Sequence, residues 1–237
     1  MNSTLYTAAS GLIVQSRNLE IVSNNLANLS TNGFRAQRTF SSVYQQHVGS
    51  PGNRSVALAG EWESRNPGAM LPTGNPLDVA LGRDELLTIE TPAGRRYTRD
   101  GALAISQDGR LVDNRGYSVL DPQNMPITGL GPNSAITPGG KVMRDGVEVS
   151  QLRVARFDPE LHRREGDNLL TADGRDKEVE TVAEPELQSG HLEQANTSGV
   201  NELVRMIEVR RAFESYQRLI SLTMNDVNRK TVNDIAK

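Results

Sequence analysis

Few side chains in this sequence could carry out chemistry. Its 3 histidines, His47, His162 and His191, fall in separate stretches, without the apolar or acidic company that a buried site needs. The most metal-like string is Asp158-Pro159-Glu160-Leu161-His162. Alternation along a strand would put its two carboxylates and imidazole on one face, a donor set for a divalent cation. A proline inside the string argues against a regular strand, and it reads as a polar loop. With 0 cysteines, thiolate ligands and a disulfide framework are both excluded. No serine sits in a nucleophile elbow, and Gly129-Leu130-Gly131 runs into Pro132 where a dinucleotide motif needs a helix start. The carboxylate pairs Asp84/Glu85 and Glu184/Glu186 lie at turns or in polar runs and read as solvated. No catalytic, cofactor-binding or metal-binding residue is assigned, no cofactor is expected, and the chain does not read as an enzyme.

Charge and hydropathy narrow the partners. The 26 Lys+Arg against 29 Asp+Glu leave a formal charge of -3, and the basic residues are scattered in pairs such as Arg95/Arg96, Arg163/Arg164 and Arg210/Arg211. That makes no phosphate-binding stripe, so nucleic acid is not an expected partner. No window approaches the roughly 18–20 consecutive apolar residues of a membrane span, so no membrane insertion is expected. Asn2, Ser3, Thr4, Thr7 and Ser10 interrupt the apolar run that a secretory signal would need. Hydrophobic residues make up 36% of the chain, below the roughly 45–50% of ordinary globular domains. This favours a modest domain with extended arms over one large core.

The arms are helical. Leu5, Leu12, Leu19 and Leu26 fall seven apart, with Ala8, Val22 and Leu29 in companion positions, and this spacing predicts a coiled-coil helix over 1–33 that stops at Ser30-Thr31-Asn32-Gly33. Met206, Phe213, Ile220 and Val227 repeat the device, with Leu203 and Met224 beside them, predicting a second such helix over 197–237 that packs with the first. Ser198 is its expected N-cap, Glu202 suits the dipole of its first turn, and Glu208 can pair with Arg211.

Between the helices the pattern becomes β. Short apolar runs flank Asp100-Gly101, Asp108-Gly109 and Asp145-Gly146, and aspartate-glycine steps in that setting are hairpin signals. An antiparallel β domain is predicted over 77–196. Residues 34–76 include a stretch rich in Gly, Pro, Ser and Asn and read as an extended linker. The single Trp62 reads as a local anchor for that linker, with an intersubunit contact as the alternative. The fold class is thus α+β: paired long terminal helices, coiled-coil in type, plus a central antiparallel all-β domain. A helix with a thin apolar row needs a partner in water. Pairing the two helices alone would leave apolar surface uncovered, which favours lateral association with further copies.

Asn24-Asn25-Leu26-Ala27-Asn28-Leu29-Ser30-Thr31-Asn32-Gly33-Phe34-Arg35 resembles the signature N-N-L-A-N-x-x-T-x-G-[FY]-[KR] of flagellar rod and hook proteins, and Ala8-Ala9-Ser10-Gly11-Leu12 matches its A-x-x-G-L at the expected distance. Asn24, Asn25, Leu26, Ala27, Asn28, Gly33 and Phe34 carry the likeness. Tyr97-Thr98-Arg99-Asp100-Gly101 resembles the family's Y-T-R-D-G, Gly190 to Asn196 its G-x-x-E-x-S-N, and Met206-Ile207 with Arg211-Ala212-Phe213-Glu214 its M-I-x-x-x-R-A-[YF]-E. Two places depart: Gly82-Arg83-Asp84-Glu85-Leu86-Leu87 replaces a Gly-x-Gly-Phe-Phe type segment, and Ala195 replaces a serine. The resemblance implies a structural subunit of the bacterial flagellar basal-body rod, self-assembling through both helices into the axial tube that transmits torque for motility. The short middle domain points to the proximal rod, with a distal rod or hook-type subunit as the alternative. A β-domain binding module with a coiled-coil handle is the alternative of another class. Implied partners are copies of itself, other rod proteins and the flagellar type III export apparatus. The implied location is the rod in the periplasmic space, reached without a cleaved signal peptide. Leu5, Leu12, Leu19, Leu26, Leu203, Met206, Phe213 and Ile220 are the expected assembly interface.

Overall fold

The computed structural model describes residues 2–46, 53–156, 163–166, 168–172, 174–175 and 179–235. They form two compact units. One contains residues 1–28, 36–64 and 197–237, and the other residues 29–35 and 65–196.

The first unit is built from both ends of the chain. Helix α1 spans Asn2–Ala27, strands β1 (Gln37–Gln46) and β2 (Asn53–Glu63) form an antiparallel hairpin, and helix α2 spans Gly199–Ile235. Helix α1 ends where Asn28 donates both its backbone N–H (3.2 Å) and its side-chain Nδ2 (2.9 Å) to the carbonyl of Asn24. At the start of α2, the Glu202 N–H donates to the Ser198 carbonyl at 3.0 Å, placing Ser198 at the cap position. The described ion pair on the outer face joins Arg210 to Glu214 at 3.2 Å, where spacing had favoured Glu208 with Arg211.

The hairpin corrects the reading of 34–76 as an extended linker. Its strands pair from Gln37↔Glu63 to Gln46↔Asn53, with a register shift between Phe40 and Ser41. Cross-strand hydrogen bonding satisfies the backbone of a segment whose side chains are mostly small or polar. Arg17 of α1 ties the hairpin down, its Nε and Nη2 reaching the Glu61 carboxylate at 2.6 and 3.0 Å. Trp62 is 52% exposed on β2 and does not act as a buried anchor.

The second unit is antiparallel β. Its early strands are β3 (Met70–Pro72), β4 (Val79–Ala80), β5 (Leu86–Thr91), β6 (Gly94–Thr98), β7 (Leu103–Ile105), β8 (Leu111–Asp113) and β9 (Ser118–Val119). The main sheet runs Arg163–Arg164, Leu169–Thr171, β6, β5, β9, β8, β7, and Val154–Arg156 pairs with β5 and with Glu180–Val182. A separate three-stranded sheet holds Ser134–Ile136, Lys141–Arg144 and Val147–Gln151. Two short ladders close the unit: Gln188–Ser189 on β4 and His191–Glu193 on β3.

Period two explains the layering. Leu87 and Ile89 join one buried cluster with Val79, Leu111 and Val119, while Leu86 packs against another built on Tyr97, Ala155 and Leu170. Both faces of the sheet at β5 are therefore covered. Burying a side chain such as Leu87 contributes about 1.5–3 kcal/mol. Asp108-Gly109 turns β7 into β8 and Asp145-Gly146 turns Lys141–Arg144 into Val147–Gln151. Asp145 and Gly146 both have positive φ, the conformation of the twist-matched two-residue hairpin. Asp100-Gly101 is different. It does not join two paired strands; its glycine is a point of close approach, where an added Cβ would stand 1.7 Å from the Val79 carbonyl oxygen.

Candidate assembly interface

The residues that the N-terminal signature singles out fall into two sets. Asn25 is fully buried, and its side chain works as a strand edge would: Nδ2 donates to the Gln37 carbonyl and Oδ1 accepts from the Gln37 N–H, both at 3.0 Å. The end of α1 is thereby fastened to the start of β1. The same Nδ2 lies 3.3 Å from Glu202 Oε2. The other oxygen of Glu202 takes Arg38 Nη1 at 2.7 Å and the Thr197 hydroxyl at 3.1 Å. A carboxylate with 0% exposure thus joins α1, β1 and α2, in the first helical turn where the backbone dipole favours a negative charge.

The second set lies in the β unit. Gly33 has φ 63, and its N–H donates to the Glu193 carbonyl at 2.7 Å. An added Cβ there would stand 2.4 Å from the Arg99 carbonyl oxygen, so only glycine fits. Phe34 is buried, with the Arg164 guanidinium 4.9 Å from its ring centroid. The arginine of Tyr97-Thr98-Arg99-Asp100-Gly101 and the glutamate of the Gly190 to Asn196 stretch form a buried ion pair, Arg99 Nε to Glu193 Oε2 at 2.6 Å.

The expected interface residues sit as follows in the single chain. Leu5, Leu12, Leu19 and Leu26 are half-buried, whereas the buried positions among the described side chains of α1 are Ala8, Gly11, Val14, Ile21, Val22 and Asn25. Met206, Phe213 and Ile220 are half-buried and Leu203 is 49% exposed. Among the described side chains of α2, Glu202 alone is buried. The apolar rows of both helices therefore keep uncovered surface beyond what the pair itself conceals.

Sequence reading missed Glu85. It is buried, accepts the N–H groups of Gly82 and Glu186 at 3.2 Å each, and faces Arg156 at 3.3 Å. The expectation that it is solvated is corrected: two backbone donors and a guanidinium replace its water. Its neighbour Asp84 stays partly exposed. The missed Arg38 gave no signal, because its partner lies 164 residues away. The Asp158 to His162 string and His47 lie outside the described residues. His191 Nδ1 lies 2.9 Å from the Ser189 carbonyl, and among the described residues no three His, Asp or Glu side chains are placed to hold a metal ion.

A helix pair drawn from the two ends of one chain, with apolar rows left partly open, is the build of a structural subunit. Family models match at residues 5–35 (flagella basal body rod protein), 84–144 (flagellar hook protein FlgE/F/G D1 domain) and 188–234 (flagellar basal body rod FlgEFG protein C-terminal). The flagellar basal-body rod protein FlgF of Mesorhizobium japonicum is 32% identical over 230 residues, covering 94% of each chain. FlgF of Rhizobium meliloti is 30% identical over 227 residues, covering 93% of this chain and 92% of that one. The rod protein FlgG of Borreliella burgdorferi is 31% identical over 255 residues, covering 95% and 96%. The chain belongs to the flagellar basal-body rod protein family, and is a structural protein of the basal body.

Proposed function

We propose that this chain is a rod subunit that assembles through α1 and α2 into the axial tube between motor and hook, with itself and other rod proteins as partners. One observation supports this above the rest: a helix spanning Gly199–Ile235 whose one buried described side chain is a carboxylate. Such a helix leaves its apolar row to be covered by neighbours. Within the rod, the reading favours the proximal, FlgF-type position. The alignment to the M. japonicum FlgF needs 230 positions to cover 94% of the chain, whereas that to the B. burgdorferi FlgG needs 255 to cover 95%. The FlgF relative thus matches with fewer insertions. The interface comprises Leu5, Leu12, Leu19, Leu26, Leu203, Met206, Phe213 and Ile220. Delivery runs through the flagellar type III export apparatus to the periplasmic span, with the N-terminal region as export signal.

Deleting the gene in its host and imaging isolated basal bodies tests the proposal. Rods arrested at an early stage, restored by the intact gene and not by a copy lacking residues 200–237, are expected. Normal basal bodies without the gene would reject the reading.

A further inference from the structure

The two helices run antiparallel and in step. The stretch from Gly11 to Asn25 along α1 is as long as that from Glu202 to Tyr216 along α2, and it is closed at both ends, by Asn25 on Glu202 and by the Tyr216 ring over Gly11. An added Cβ at Gly11 would stand 2.5 Å from Tyr216 Cε1. What selects this step is not apparent in the apolar rows. Leu5, Leu12, Leu19 and Leu26 repeat every seven residues, as do Met206, Phe213 and Ile220, so sliding one helix by a heptad sets like against like. Helix α2 has 37 residues against 26 in α1, which leaves room to slide. Nor, among the described side chains of α2, is an apolar one buried that would resist it.

We propose that the buried cluster of Asn25, Arg38 and Glu202 is a register key: it selects the one step at which α2 can lie along α1. A slide in either direction would strand a fully buried carboxylate away from its guanidinium and its amide, and an unpaired buried charge is strongly disfavoured. Single polar groups in otherwise apolar helix contacts select register in this way, at some cost in stability. The key sits on β1 as well as on the helices, because Asn25 grips the backbone of Gln37 through two hydrogen bonds and Arg38 follows it. The hairpin is therefore a fixed reference against which α2 is set. Register in turn decides how far along α1 each outward residue of α2 is held, so the cluster is a positioning device for any surface α2 presents. This inference concerns the helix pair alone and does not depend on the rod reading.

The chain has no cysteine, so disulfide trapping in the purified full-length protein reads the step directly. Val14→Cys is combined with Phe213→Cys, which the observed step places opposite, or with Met206→Cys or Ile220→Cys, one heptad out. With the cluster intact, crosslinking confined to the 14–213 pair is expected. In the Asn25→Leu/Arg38→Met/Glu202→Leu background, which leaves no charge stranded, helix content by circular dichroism is expected to persist. The out-of-step crosslinks should then rise at least about tenfold, the change that losing about 1.4 kcal/mol of register preference produces. Should that background lose its helix content, Glu202→Gln, which keeps the shape and drops the charge, is read instead and is expected to raise the same crosslinks severalfold. Crosslinking that stays confined to 14–213 in whichever background is read overturns the proposal. So does a lack of preference in the chain with its cluster intact.

Discussion

Arg99 and Glu193 stand 94 residues apart in the sequence and meet as an ion pair whose side chains are almost completely buried, with Arg99 Nη2 2.5 Å from Glu193 Oε2. The guanidinium also donates to the carbonyls of Leu81, Gly82 and Glu85, and the carboxylate accepts the Gly68 N–H. Each side chain of the pair thus serves backbone groups as well as its partner. Arg99→Ala strands the carboxylate and frees three carbonyls, and is expected to lower stability by about 3–5 kcal/mol, read as a fall in the urea midpoint. Unlike many buried pairs, this one should not be replaceable by apolar residues without loss. Arg99→Met/Glu193→Leu leaves those carbonyls unsatisfied, so it is expected to recover only part of the deficit.

Gly33 and Gly146 both have positive φ, and only one is crowded. Gly33→Ala would drive a methyl against the Arg99 carbonyl and is expected to cost more than about 2 kcal/mol, whereas Gly146→Ala, with open space around it, should cost about 1 kcal/mol. Thermal unfolding of the two variants side by side checks the contrast. Equal losses would mean that backbone strain, and not the close approach, sets the requirement.

Burial pushes the Asp100 carboxyl above its ordinary value, against the Ala102 N–H that favours the charged form. The folded chain therefore holds this proton more tightly than the unfolded one. Its contribution to stability is complete below the unfolded value and is lost as pH rises through the raised folded value. Relative to Asp100→Asn, the unaltered protein should gain stability when the pH is lowered from 7 into that window. Urea midpoints for both proteins at pH 7 and in mild acid measure it, and parallel pH profiles would show that Asp100 does not contribute.

Leu203 is half-exposed in the first turns of α2. Leu203→Asp should change the stability of the isolated chain by no more than about 0.5 kcal/mol and yet abolish motility, since it places a charge where a neighbour is expected. Leu19→Asp, half-buried on α1, should likewise prevent assembly while the β unit stays folded. Motility assays beside circular dichroism of the purified variants separate the two effects. Motile Leu203→Asp cells would remove that residue from the interface.

Both helices and two of the Asp-Gly hairpins were legible because their signals are local: a heptad spacing, and a turn residue pair between apolar runs. The β1–β2 hairpin was not. Its register shift between Phe40 and Ser41 interrupts the alternation by which a strand is recognised, and Ser41, Ser42, Gln45 and Gln46 carry no apolar period. Glu85 looked solvated because nothing beside it reveals that the Glu186 N–H, 101 residues on, will point at it. The Leu5 to Leu26 row was seen, but the more buried stripe through Gly11, Val14 and Asn25 was not, since glycine and asparagine give no hydropathy signal. Asp100-Gly101 misled for a related reason: the same dipeptide serves a turn or a tight backbone crossing, and only the neighbouring strand decides which.

The union of Asn25 with Glu202 also has a consequence in time. A chain made from its N-terminus at roughly 5–20 residues per second exposes Asn25 about 10–35 seconds before Glu202 exists. Throughout that interval α1 lacks the carboxylate and the helix that its end is shaped to receive, and the β unit, built from residues 29–35 and 65–196, is itself complete only as the interval ends. Completion of the first unit therefore waits for the start of α2. Until then the leading end stays uncommitted.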